Sequence, residues 1–183
     1  MSHRSISSFS RVVVVTAAAM LALAPVADAA SRDKRFFQSV AGVWKGPGEI
    51  VAGKYKGTKF TCSLTGLPPD GDLTGITLDG TCRVGVFSQP MKATISEVGG
   101  KYQGQFLDGA EGKGLDIVSG AVTGDRVVMG INRKKLNGAM VARLQNDMAM
   151  NITISVKVED RMIPVIGLKL NRQADAYAGD IKN

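Results

Sequence analysis

The chain has 183 residues, with 23 Lys and Arg against 16 Asp and Glu, two cysteines and a single histidine at position 3. That lone histidine leaves the rest of the chain without the general base of a Ser-His-Asp or Cys-His site and without the commonest metal ligand. There is no Walker, dinucleotide-binding or zinc spacing either, so no enzyme, metal or cofactor is expected.

The N-terminus reads as an export signal. Arg4 and Arg11 form a positive start, residues 12–25 are an apolar run too short for a comfortable membrane span, and Ala27-Asp28-Ala29 has the small-x-small pattern of a cleavage site. We expect residues 1–29 to be a signal peptide, 30–172 the folded domain and 173–183 a loose tail, with the product periplasmic or secreted. No other segment reaches the roughly 18 apolar residues of a spanning helix, so no membrane span is expected. Without Arg4, Arg11 and Asp28 the net charge falls from +7 to +6. Such a charge favours anionic partners such as lipid headgroups, cell-wall polymers or an acidic protein. A solvated basic surface is the plainer reading, because only Arg133-Lys134-Lys135 cluster; no nucleic-acid partner is expected.

In chain order, residues 33–40 predict a short helix with Phe36, Phe37 and Val40 on one side, ended by Gly42. From there apolar residues alternate with polar ones, the period of a half-buried strand. Trp44, Gly46, Gly48 and Ile50 share a face, then Phe60, Cys62 and Leu64. After the turn-rich stretch 66–72 come Ile76, Leu78, Gly80, Cys82 and Val84. Met91, Ala93 and Ile95 precede a Gly99-Gly100 hairpin turn, and Tyr102, Gly104 and Phe106 follow it. Residues 115–122 alternate poorly. Val127, Met129 and Ile131 form a seventh strand, and Met140, Ala142 and Leu144 an eighth. A ninth carries Met148, Met150, Ile152, Ile154, Val156 and Val158 on one face, and a tenth carries Met162, Ile166, Leu168, Leu170 and Arg172. Pro164 cannot donate to a ladder and predicts a bulge.

Ten amphipathic strands joined by short turns have no crossover long enough for parallel pairing. Closing the meander hides both its edges and its apolar face. The fold class is therefore all-β, a closed antiparallel up-and-down barrel with a short N-terminal helix. Cys62 and Cys82 fall on apolar faces of successive strands. In an exported chain they read as a disulfide closing about 20 residues and stabilising by about 3 kcal/mol, with two buried free thiols as the alternative.

Gly42-Val43-Trp44 after a short helix, with Arg172 at the end of the last strand, resembles the calycin architecture of lipocalins, avidins and fatty-acid-binding proteins. The resemblance implies that Arg172 packs over Trp44 to close the barrel. Gly42-x-Trp44-x-Gly46-x-Gly48 is also similar to the opening of nitrobindin-like haem barrels, but the proximal histidine they use is missing beyond His3. Residues 36–172 resemble small exported barrel proteins of alphaproteobacteria that have two cysteines about twenty residues apart. The stretch from Cys62 to Cys82 is similar to periplasmic metalloprotease-inhibitor barrels, which act through an N-terminal trunk.

The functional expectation is a non-catalytic barrel that binds a small apolar or amphiphilic molecule inside. The expected lining is Trp44, Phe60, Tyr102, Phe106, Met129, Met140, Met150 and Ile152, with Gly46, Gly48, Gly80 and Gly104 leaving room. A filled interior is the competing expectation. It would make the chain a protein-interaction module of the cell envelope, such as a protease inhibitor using its N-terminal helix and the 68–72 loop. Met148-x-Met150 would suit a soft metal, but methionine is more often adaptable packing. Loop carboxylates Asp70, Asp72, Asp108 and Glu111 are expected to be solvated.

Overall fold

The structure, a computed structural model, describes residues 26–107 and 114–174. Helix α1 (Val26–Ser39) is followed by β1 (Gly42–Ile50), β2 (Lys59–Leu67), β3 (Gly75–Val84), β4 (Phe87–Val98) and β5 (Lys101–Leu107). Then come β6 (Leu115–Thr123), β7 (Arg126–Arg133), β8 (Leu136–Leu144), β9 (Ala149–Val158) and β10 (Arg161–Arg172). Each strand pairs antiparallel with its chain neighbour and β10 returns to β1, so the sheet closes as a ten-stranded up-and-down barrel. Closure satisfies both edges, which an open ten-stranded sheet would leave as rows of unpaired amides. At the seam Trp44 faces Arg172 and Gly48 faces Leu168. The helix starts at Val26, not Asp33, and so runs across the expected cleavage boundary. Asp108, Glu111 and most of the expected leader and tail lie outside the described residues.

Two bulges explain where simple alternation fails. In β6 the register against β7 shifts between Ile117 and Ser119, leaving Val118 as an extra, exposed residue. Ile117 before it and Gly120 and Val122 after it can then all face inward, opposite Ile131, Met129 and Val127. In β10 the register against β9 shifts between Pro164 and Ile166, beside the residue that cannot donate. That shift corrects one expected face: Met162 pairs with Lys157 and is exposed, while Ile163 takes the place opposite Val156. Met148 is a second correction. It precedes β9 in a turn where its N–H is held by Asn146 Oδ1, and its side chain is exposed, so it shares no face with Met150.

The outer face carries Lys45, Glu49, Ser63, Lys92, Gln103 and Lys169, whereas a barrel bathed in lipid turns an apolar band outward. Among the described residues no helix is long and apolar enough to cross a membrane. The largest enclosed side chains, Trp44, Phe37, Met129, Met150 and Leu170, lie toward the helix end. Cys62 and Cys82 are register partners on β2 and β3 and form a disulfide, which leaves no free cysteine among the described residues.

Candidate ligand site at the barrel mouth

One end of the barrel is sealed by a built floor. Phe36 and Phe37 of α1 pack into the opening, where Phe37 meets the ring of Tyr102 at 5.9 Å. The indole Nε1 of Trp44 donates to the Val40 carbonyl at 2.8 Å. The Arg172 guanidinium lies 4.3 Å over the Trp44 ring and donates to the carbonyls of Ser39 and Ala41. Its Nε donates to the Asp147 carbonyl at 2.7 Å. A helix leaves its last carbonyls unpaired and its C-terminus partly negative. Arg172 thus caps α1 while it closes the barrel.

Two further ties hold the helix down. The Tyr102 hydroxyl donates to the Asp33 carboxylate. Burial raises the Tyr102 pKa well above the ordinary phenol value, and the hydrogen bond and charge of Asp33 raise it further. Lys34 donates to Asp72 at 2.9 Å in the β2–β3 connection. That hydrogen bond, with the lysine's charge, holds the Asp72 carboxyl below its usual range.

The eight expected lining residues divide by depth. Trp44 and Met129 are 0% exposed and Met150 is 1% exposed, so they border no space that a water-sized molecule reaches. Tyr102, Met140 and Ile152 are also buried. These six fill the lower half of the interior against one another. Phe60 and Phe106 stand nearer the other end and are only partly covered. At that level Met91, Leu115 and Ile166 also pack on the core while keeping part of their surface open. The accessible inward surface is therefore a mouth opposite the helix.

The inward glycines do not hollow the barrel. A Cβ on Gly46, Gly80 or Gly104 would collide with a neighbouring strand's backbone, at Lys169, Ser63 and Thr94 respectively. A Cβ on Gly48 would enter the Phe60 ring. These residues permit close strand approach and the seating of one aromatic ring. Two surface depressions, one of about 350 Å³ between α1 and the β6–β7 and β8–β9 turns and one over β4 to β6, lie outside the barrel. Neither is lined by any of the eight. Parity marked Met91 and Ile166 as inward and left Leu115 open, and depth along the axis leaves no trace in alternation.

Chemically the mouth is apolar. Among the described residues its inward side chains are aromatic, aliphatic or thioether, which offer burial of apolar surface. Among the described residues no group of three or more His, Cys, Asp or Glu side chains is placed to hold a metal ion.

No protein-family model matches the sequence, and comparison with curated proteins returns no match. Among solved structures, the crystal structure of Rv2717c from M. tuberculosis is similar in fold. It has a TM-score of 0.56 and 13% sequence identity, and the match covers 76% of this chain and 96% of that one.

Proposed function

We propose that this chain is an exported, non-catalytic barrel that holds a small apolar or amphiphilic molecule in the open half of its interior. The observation that carries the reading is the contrast along the barrel axis. Toward the helix end Trp44 and Met129 lose all contact with water, while Phe60, Met91, Leu115 and Ile166 keep accessible apolar surface. A calycin-like barrel uses such a mouth for cargo. The disulfide and the leader-like start of the sequence favour an oxidising compartment.

The test is native mass spectrometry of the chain purified from its own compartment, paired with titration of an environment-sensitive apolar dye. An adduct of lipid or pigment mass, and dye binding lost in Ile166→Lys, is the expected result. A bare mass together with dye binding that Ile166→Lys leaves unchanged would overturn it.

A second reading, an envelope interaction module, is favoured by one contact. Lys34 joins α1 to the 68–72 loop, through Asp72 and the Gly71 carbonyl, in one composite surface. Under that reading a protein partner stays bound when the mouth residues are enlarged.

A further inference from the structure

The mouth is ringed by structure that the barrel itself does not need. Among the described residues β3 pairs with β2 up to Arg83 and β4 with β5 from Lys92, so the tip of the β3–β4 hairpin around Gly85-Val86 stands beyond the barrel wall. β10 meets β1 only from Ile166 and β9 meets β8 only up to Val156, so the β9–β10 hairpin does the same. In the barrel order β10-β1-β2-β3 these two hairpins flank the β1–β2 connection, residues 51–58. The three form one continuous rim.

That rim is apolar where a soluble tip is normally polar. Val86 is 93% exposed, Phe87 77% and Tyr55 63%, with Val158 and Met162 also exposed on the second hairpin. Between them stand cations. Lys54 and Lys56 bracket Tyr55, with Lys54 5.4 Å from its ring centroid, and Arg83 and Arg161 lie beside the two tips. Lys134 and Lys135 add to them from the β7–β8 turn at the same end. Glu49, Asp116, Glu159 and Asp160 are the acids at this end among the described residues, and Asp160 already faces Lys157 at 3.9 Å.

The floor end makes the contrast. Its exposed Leu67, Leu73 and Val98 sit among charges of both signs, Asp70, Asp72 and Glu97 against Lys34, Arg35 and Lys101. Among the described residues the cations clearly outnumber the acids at the mouth end.

We propose that this rim docks the mouth onto an anionic phospholipid surface. Val86, Phe87, Tyr55 and Met162 enter the headgroup boundary, and the surrounding lysines and arginines rest against lipid phosphates. Insertion of aromatic and aliphatic tips with flanking Lys and Arg is how a water-soluble chain gains a reversible hold on a charged interface. The inference stands apart from the cargo reading, since docking needs only the rim. A chain that binds vesicles but carries no adduct would lose the cargo reading and keep this one.

The test is co-sedimentation of the chain with vesicles of phosphatidylcholine alone and of phosphatidylcholine mixed with phosphatidylglycerol, at low and raised salt. Binding is expected only with phosphatidylglycerol and should weaken with salt. Lys54→Gln with Lys56→Gln should weaken it about 30-fold, at the usual contribution of a lysine near a charged surface. Val86→Asp with Phe87→Ser should weaken it at least about 10-fold. Trp44 lies at the other end and is fully enclosed, so its emission reports that each variant remains folded. Binding through the apolar run at residues 12–25 would ignore both double substitutions. Equal binding by wild type and variants, equal binding to phosphatidylcholine alone, or capture of the rim by an acidic protein with no vesicle binding would each overturn the proposal.

Discussion

Tyr102 carries a buried phenol that must stay neutral. Its hydroxyl hydrogen is the only thing it can donate to Asp33, and ionisation would set a second negative charge beside that carboxylate and near Glu97. The folded-state pKa is raised, so the contribution to stability is complete below the unfolded phenol value of about 10 and drains away as pH rises past it. Urea titrations at about pH 8 and about pH 11, followed by Trp44 emission, should show the wild type losing stability across that interval. Tyr102→Phe should start lower by about 1 kcal/mol, for the lost hydrogen bond, and lose less over the same interval. Parallel alkaline losses in the two proteins would mean that Tyr102 is not the titrating group.

At the scale of the strand, Gly104 shows what the inward glycines are for. Its φ of 155° lies where side chains are rarely found, and a Cβ there would meet the Thr94 carbonyl on β4. Gly104→Ala should therefore cost about 2 kcal/mol or more, read as a fall in the urea midpoint. A substitution near neutral in stability would show that β4 and β5 yield more easily than their register suggests. Much of the fold was legible because period-two alternation is a direct record of which face is buried. Strand nine, from Met150 through Val156, needed no other signal. What was not legible has specific causes. A bulge inserts one residue and reverses parity, which is why Met162 was placed on the wrong face and why β6 did not alternate. Alternation also gives the face of a residue but not its height in the barrel, so Trp44 and Met129 read the same as Phe60 although only the last reaches the mouth. Glycine on an inward position has two opposite readings, room for a ligand or room for a neighbouring strand, and only register separates them.

For the molecule as a whole, the two ends are built for different things, and Arg172 is what makes one of them permanent. It joins the last strand to the first across the seam, covers Trp44, and satisfies the Ser39 and Ala41 carbonyls at the end of α1. Arg172→Ala removes the stacking, about 0.5 to 2 kcal/mol, and leaves partly buried carbonyls without their charged donor, a further 1 to 3 kcal/mol or about that. A total near 3 kcal/mol should appear as a lower urea midpoint. A red shift of native Trp44 emission should accompany it, as water reaches the indole. Arg172→Lys should recover less than half, because an ammonium keeps the charge but has neither the flat face that lies on the indole nor the fork that reaches two carbonyls. Vesicle binding by either variant should match wild type, since the seal and the rim are at opposite ends. An Arg172→Ala protein within about 0.5 kcal/mol of wild type, with unshifted emission, would mean that packing of Phe36 and Phe37 alone holds the floor. The arginine would then be a consequence of closure rather than its cause.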